Sequence, residues 1–206
     1  MSGQEEDAEK AARQILDAGI DPLEVMEREL LPAMKSVGEK FEKGEYFLTD
    51  LMSAADAMRA ASRVLTSRIR QESKGKMTIS KIGKVVIGTV SGDIHDIGKN
   101  IVALLLEVNG FDTHDLGKDV DSMKFIERAA EVQADIIALS ALMTTTKPAQ
   151  REVTDLLKEM KLREKYIVLV GGAPTSNLWA EEIKADGWAE TAEQGVRVAQ
   201  RLIQER

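Results

Sequence analysis

The sequence predicts an α/β protein in which a helical bundle precedes a parallel sheet with helices on both faces. Two observations predict this class. In residues 1–72, hydrophobic residues recur only at helical spacing. From residue 84 onward, continuous apolar runs rich in β-branched residues alternate with amphipathic segments, as in parallel sheets that are buried on both faces. Hydrophobic residues make up 43% of the chain, which is enough for a packed core.

The first part is predicted to form a small helical bundle. Pro32 is expected to kink or break the second helix, because proline lacks an N–H and its ring clashes with the preceding turn. Thr49 is expected to cap the start of the third helix. The predicted helices cover 5–18, 22–40 and 49–65.

The second part is predicted to form five strands in a doubly wound, flavodoxin-like (Rossmann-like) sheet. The strands are expected at 84–90, 111–116, 135–140, 166–170 and 187–189. The helices between and after them are expected at 99–109, 121–132, 148–160, 176–185 and 192–204. Ligands of such sheets bind beyond the carboxyl ends of the strands, so the loops that follow the strands are the candidate site.

A polar, basic and glycine-containing stretch separates the two parts and is predicted to be a linker. The expected domains are 1–75, which is helical, and 84–206, which contains the sheet, with the linker at 76–83.

Composition limits the kinds of site. The chain has no cysteine and two histidines, so metal chemistry must use a single histidine, carboxylates or the metal of a cofactor. A net charge of -7 argues against a nucleic-acid-binding face. The polar N-terminus has no signal-peptide pattern, and the most apolar run is far shorter than a membrane span. A cytoplasmic protein without membrane or nucleic-acid partners is expected.

The loop after the first strand holds a histidine two residues from an aspartate. An aspartate can accept the proton of one ring nitrogen and leave the other nitrogen free for a metal. Alternatively, the pair is an ordinary capped loop without a ligand. The candidate residues of this loop are Gly92, Asp93, Ile94, His95, Asp96, Ile97 and Gly98.

Two more loops at the same expected edge consist of small residues. The hydroxyl-rich stretch from Ser140 to Thr146 follows the third strand, and Gly171 and Gly172 end the fourth. Small residues leave room for a ligand and allow close backbone approach. Either loop could instead be a simple turn. Together they suggest a long, narrow cleft.

These three loops together resemble the motifs of cobalamin-binding domains. Asp93, His95 and Gly98 match DxHxxG, Ser140 and Leu142 match SxL, and Gly171 with Gly172 matches the double glycine, all in the family's order. The resemblance implies that His95 is the lower ligand of cobalt, that Asp93 is its hydrogen-bond partner and that Thr146 extends this relay. It also implies a cleft for the nucleotide tail, lined by Ser140, Leu142, Thr144, Gly171, Gly172 and Ala173 and closed near Ala192.

The helical part is similar to the cap of methyl-transferring corrinoid proteins, including the cobalamin module of methionine synthase. Phe41, Phe47 and Leu48 match the apolar residues that cover the upper face of cobalt there. The alternative is that these residues belong to the core of the bundle. The scarcity of aromatic residues, which make up only 4% of the chain, favours the cap role over a place in the bundle core.

The resemblance implies a subunit that carries a methyl group on the cobalt of methylcobalamin or a related corrinoid, rather than a complete enzyme. Its expected partners in one-carbon metabolism are a barrel-type, substrate-specific methyltransferase, a second methyltransferase acting on a thiol or tetrahydrofolate, and a reductive activase. The linker would act as a hinge that lets the cap move aside. Alternatives are a cobalamin-dependent sensor, the small subunit of an adenosylcobalamin mutase, and a phospho-receiver that uses Asp93.

Overall fold

The structure, a computed structural model, describes residues 3–73 and 82–206. These residues form two compact units, one helical and one built on a sheet. Most of the predicted linker, 76–83, and the hinge assigned to it lie outside the described residues, so the domain boundaries and the hinge stay predictions. Along the described ranges, no helix combines the length and apolar character needed to cross a bilayer.

The helical unit is built around one long helix, α4, against which the earlier helices pack. The helices are α1 (Gly3–Asp17), α2 (Pro22–Val25), α3 (Leu31–Glu42) and α4 (Leu48–Ser73). The core of this unit consists of small and flexible apolar side chains: Ala12, Val25, Met26, Met58, Ala60, Ala61 and Leu65.

A π-helical turn, Met26–Leu30, joins α2 to α3, so the expected disturbance at Pro32 takes this form. The N–H of Leu31 bonds to the carbonyl oxygen of Met26, five residues back. A widened turn accommodates a nearby proline because the helix can omit one bond of its regular ladder there. The chain therefore stays helical from α2 through α3.

The predicted cap at Thr49 is wrong, because α4 begins at Leu48 and Thr49 lies inside its first turn. Instead, the carboxylate of Asp50 reaches back and accepts the backbone N–H of Phe47 at 2.8 Å. This bond satisfies a donor that the start of the helix would otherwise leave open.

The second unit is a five-stranded parallel sheet with the order β2-β1-β3-β4-β5, as flavodoxin-like folds have. The predicted fold class is confirmed. The strands are β1 (Gly83–Thr89), β2 (Phe111–Asp115), β3 (Ile136–Ser140), β4 (Ile167–Gly171) and β5 (Gly187–Ala189). The helices are α5 (Ile97–Val108), α6 (Ser122–Val132), α7 (Pro148–Glu159), α8 (Asn177–Glu182) and α9 (Ala192–Gln204).

Several predicted boundaries shift by one to three residues. Helix α5 begins at Ile97, two residues early, so Ile97 and Gly98 lie in its first turn. Helix α8 is shorter than predicted, and a 3-10 turn, Arg163–Lys165, precedes β4 without having been predicted. Such short elements depend on packing that local sequence patterns do not encode.

Candidate cofactor-binding site

The carboxyl ends of four strands lie in one row across the sheet. Thr89 of β1 pairs with Ser140 of β3, Ser140 pairs with Gly171 of β4, and Gly171 pairs with Ala189 of β5. The loops singled out in the sequence therefore begin side by side at one edge. This is the edge where doubly wound sheets bind their ligands.

The loop after β1 is held in a defined shape by the end of its own strand. The hydroxyl of the fully buried Thr89 donates to the carbonyl oxygen of His95 at 2.9 Å. The N–H of Asp93 bonds to the carbonyl oxygen of Val90, and Gly92 adopts a positive φ of 79°. Glycine takes this conformation without steric penalty, so the loop can turn sharply there.

Asp93 is fully buried, and both of its oxygens accept hydrogen bonds. Oδ1 is 2.7 Å from Nδ1 of His95 and 3.1 Å from the backbone nitrogen of the same residue. Oδ2 accepts the N–H of Leu142 and the hydroxyl of Thr146, each at 2.7 Å. The structure thus brings together Asp93, His95 and Thr146 as predicted, and Leu142 takes part through its backbone.

The pKa of Asp93 is set by two opposing causes. Burial raises it, but hydrogen bonds from Thr146, Leu142 and His95 to the charged form outweigh burial and lower the pKa from 3.8 to about 2. Asp93 is therefore ionised at neutral pH and can only accept hydrogen bonds. The proton between Asp93 and His95 must then lie on Nδ1 of the imidazole.

The imidazole of His95 is presented outward. Its side chain is 46% exposed, and none of the described residues hydrogen-bonds its second ring nitrogen, Nε2. With Nδ1 holding the proton, a neutral ring has its lone pair on Nε2, which is the arrangement of a metal-ligating histidine. Asp93, by contrast, has no free oxygen, which argues against the phospho-receiver alternative.

The double glycine has a role within the fold that the sequence did not reveal. Gly172 has a φ of 114°, and a Cβ there would lie 1.8 Å from the carbonyl oxygen of Ala141. The backbone at Gly172 thus lies close to the end of β3, so the glycine is required by the fold itself. The hydroxyl of Thr175 donates to the carbonyl oxygen of Gly172, and the indole N–H of Trp188 donates to that hydroxyl.

The other predicted residues differ in accessibility. Ile94, Leu142, Thr144 and Ala173 are exposed around these loops, Ser140 is half-buried, and Ala192 is buried at the start of α9. Phe41, Phe47 and Leu48 lie on the helical unit with exposed fractions of 39%, 72% and 59%. They therefore do not form the core of the bundle.

Sequence reasoning missed several residues that shape the loop. Thr89 acts through its hydroxyl, which donates to the carbonyl oxygen of His95. Met143 acts through its backbone N–H, which lies 3.4 Å from Asp93 Oδ2. Neither residue belongs to a motif. Asp119 lies in the candidate loop after β2, but it was not singled out there, although its side chain accepts the N–H of Gly92 at 2.7 Å. No motif distinguishes it from the other residues of that loop.

A family model described as B12 binding domain matches residues 83–197, and a second model with that description matches residues 1–66. Dimethylamine corrinoid protein 1 of Methanosarcina acetivorans is 47% identical over 197 residues, which are 96% of this chain and 91% of that protein. The chain belongs to the corrinoid protein family. The resemblance seen in the sequence is confirmed, and the cofactor is cobalamin or a related corrinoid.

Other corrinoid proteins agree in sequence and in fold. A corrinoid protein of Desulfitobacterium hafniense is 42% identical, with 98% of this chain and 93% of that protein covered. The monomethylamine corrinoid protein of Methanosarcina barkeri superposes with a TM-score of 0.86 at 37% identity, covering 94% and 89% of the two chains. The methanol:cobalamin methyltransferase complex of the same species gives 0.58 at 30% identity, covering 98% and 75%.

The residues present fit a corrinoid. Nε2 of His95 is a suitable nitrogen donor for cobalt, and the exposed apolar side chains of Ile94 and Leu142 suit a large, largely apolar ring. A Cβ on Gly98 would meet no protein atom within 4 Å, so this corrinoid protein does not need a glycine there for its own packing. The space beside Gly98 at the start of α5 is open.

Proposed function

We propose that this corrinoid protein carries a methyl group between two methyltransferases, with His95 as the lower ligand of cobalt. The observation that carries the proposal is the pairing of His95 with Asp93: Nδ1 is held at 2.7 Å by a buried carboxylate, while the side chain is 46% exposed and no described residue hydrogen-bonds Nε2. When bound, the corrinoid supplies a cobalt that accepts and gives up a methyl group.

Asp93 and Thr146 would control the strength of this ligand. An ionised Asp93 keeps the proton on Nδ1 and makes Nε2 a better electron donor, as carboxylate partners do for metal-bound histidines. The Thr146 hydroxyl holds Oδ2 at 2.7 Å and thereby orients the carboxylate. The same carboxylate would also stabilise a second proton on the imidazole of His95 when Nε2 binds no metal.

The remaining motif residues are proposed to bind the rest of the cofactor. Phe41, Phe47 and Leu48 would cover the upper face of the ring, because exposed aromatic and aliphatic side chains gain from contact with an apolar surface. Residues of the loops after β1, β3, β4 and β5 would bind the lower face and tail: Gly92, Ile94, Asp96, Ile97, Gly98, Ser140, Leu142, Thr144, Gly171, Gly172, Ala173 and Ala192.

The methyl donor is proposed to be a methylated amine. Support comes from relatives named for dimethylamine at 47% identity and from the fold match to a monomethylamine corrinoid protein at a TM-score of 0.86. The match to the methanol system is lower, at 0.58. The proposed partners are an amine-specific methyltransferase, a second methyltransferase acting on a thiol or tetrahydrofolate, and a reductive activase.

The ligand role of His95 can be tested with the two histidines of the chain. Wild type, His95→Ala and His114→Ala are reconstituted with methylcobalamin, and absorbance spectra are recorded. We expect a histidine-ligated spectrum from wild type and from His114→Ala, since His114 lies on the edge strand β2. His95→Ala should give the spectrum of a corrinoid without a lower nitrogen ligand. Identical spectra from His95→Ala and wild type would exclude the assignment.

The methyl donor can be tested by isotope transfer. The reduced, corrinoid-loaded protein is mixed with the dimethylamine, monomethylamine or methanol methyltransferase of a Methanosarcina species and the matching labelled substrate. We expect label on the protein's corrinoid from an amine and little from methanol. Preferential labelling from methanol would contradict the proposed donor while leaving the carrier role intact.

A further inference from the structure

Asp119 lies in the connection between β2 and α6 and has a left-handed backbone, with φ of 53°. Only a small fraction of residues other than glycine adopt this conformation, and such residues concentrate at functional sites. Asp119 is also exposed, so packing of its side chain in a core does not explain it. Its hydrogen bonds indicate what the conformation achieves.

Two groups of Asp119 hold two consecutive residues of the loop after β1. Its Oδ1 accepts the N–H of Gly92 at 2.7 Å, and its own N–H donates to the carbonyl oxygen of Asp93 at 2.9 Å. Gly92 is itself left-handed, with φ of 79°. Asp119 thus makes two hydrogen bonds to the segment that leads into the Asp93–His95 pair.

The connection that carries Asp119 is anchored in turn. The N–H of Val120 bonds to the carbonyl oxygen of Thr89 at 3.0 Å. Asp115 accepts the N–H of Gly117 at 2.8 Å, and its other oxygen accepts the ammonium of Lys99, a residue of α5 that is 3% exposed. These hydrogen bonds therefore hold the connection that contains Asp119 in place.

We propose that Asp119 is a positioning residue for the cobalt ligand: it fixes the Gly92–Asp93 backbone and, through Asp93, the orientation of the His95 ring. The inference rests on the proposed role of His95 as the lower ligand. The acting group is the hydrogen-bond acceptor on a left-handed backbone, and its charge is not needed. Asparagine keeps both properties, whereas glycine keeps the backbone but removes the acceptor.

The test compares Asp119→Gly, Asp119→Asn and Asp121→Gly. Asp121 is a matched control, because it lies in the same connection but caps α6 by accepting the N–H of Met123 at 2.9 Å. Amide hydrogen exchange of Gly92 is measured by NMR in the cofactor-free proteins. The dissociation constant for methylcobalamin and the histidine-ligated fraction are measured by absorbance at pH 7.

In Asp119→Gly we expect Gly92 to exchange at least about tenfold faster and the dissociation constant to rise by about tenfold, the effect of losing one hydrogen bond. The histidine-ligated fraction should fall as well. Asp119→Asn and Asp121→Gly should match wild type in all three measurements. A structural role alone would lower thermal stability without changing the spectrum.

The outcomes separate this inference from the proposed function. If wild type shows no histidine-ligated spectrum, the role of His95 fails, and Gly92 exchange in Asp119→Gly still decides whether Asp119 holds the loop. If wild type is ligated and Asp119→Gly matches it in exchange and spectrum, Asp119 has no positioning role. Asp119→Asn behaving like Asp119→Gly would overturn the assignment to the acceptor.

Discussion

The hydroxyl of Thr146 donates to Oδ2 of Asp93 at 2.7 Å, and both side chains are buried. Thr146→Val keeps the shape of the side chain but removes the donor. We expect it to lower the free energy of unfolding by about 1–3 kcal/mol, the range for losing a hydrogen bond to a buried charge. Thr146→Ser keeps the donor and loses one methyl group, which should cost about 1 kcal/mol or less. Urea denaturation of the cofactor-free proteins tests this, and equal losses in both variants would contradict it.

The cofactor-free protein should lose stability in acid, because protonation of Asp93 removes its stabilising hydrogen bonds. Its folded pKa of about 2 lies below its ordinary 3.8, so its stabilising contribution is complete above pH 3.8 and is lost as the pH falls toward 2. The shift corresponds to about 2 kcal/mol. Denaturation of wild type and Asp93→Asn from pH 6 to pH 2.5 should therefore show a shallower decline in the variant. Parallel curves would show that Asp93 does not hold a depressed pKa.

The fold was predictable because β1, β3 and β4 are largely apolar runs and some intervening helices have a clear start, as at Pro148 of α7. Asp93 and His95 were predictable because they lie at fixed spacing in one motif, and Thr146 because the family resemblance implied its role in the relay. The π-helical turn before Pro32 was not, since it arises from the balance of helix packing against one missing N–H. The hydrogen bond between Asp119 and Gly92 joins residues far apart in sequence, so no local sequence pattern indicates it.

The two adjacent glycines at the end of β4 should differ sharply in what they tolerate. A Cβ on Gly172 would lie 1.8 Å from the oxygen of Ala141, at a φ that alanine disfavours. One on Gly171 would meet Ala189 O at an ordinary 3.5 Å. We expect Gly172→Ala to lose more than about 3 kcal/mol of unfolding free energy and Gly171→Ala less than about 1 kcal/mol. Thermal and urea unfolding test this, and similar losses would show that β3 and β4 can separate at low cost.

Phe47 should matter for the cofactor and not for folding. Its side chain is 72% exposed, so Phe47→Ser should change the unfolding free energy of the cofactor-free protein by less than about 0.5 kcal/mol. If Phe47 contacts the corrinoid, its loss should raise the dissociation constant by about ten- to a hundredfold, since burying a phenylalanine contributes about 1.5–3 kcal/mol. Ile20→Ser, an exposed apolar residue between α1 and α2, is the control and should leave binding unchanged. Equal affinities in all three proteins would exclude the cap role of Phe47.

Gln150 and Trp179 should be energetically coupled. The fully buried amide of Gln150 donates to the carbonyl oxygens of Leu139 and Gly171, which join the ends of β3 and β4, and it accepts the indole N–H of Trp179 at 2.9 Å. Gln150→Leu removes all three bonds. The indole N–H of Trp179 then loses its partner, whereas the oxygen of Gly171 keeps the N–H of Ala141, so we expect a cost of about 2–5 kcal/mol. Trp179→Phe removes one of the same bonds.

The double variant should therefore lose less unfolding free energy than the sum of the two single variants, by about 1 kcal/mol, as for residues that share a hydrogen bond. Urea denaturation of all four proteins gives this coupling energy. Trp188→Phe, whose indole bonds to Thr175 instead, provides the comparison and should be additive with Gln150→Leu within about 0.5 kcal/mol. Strict additivity of Gln150→Leu with Trp179→Phe would show that the indole does not depend on the amide, and that α8 is held to the strand ends by packing alone.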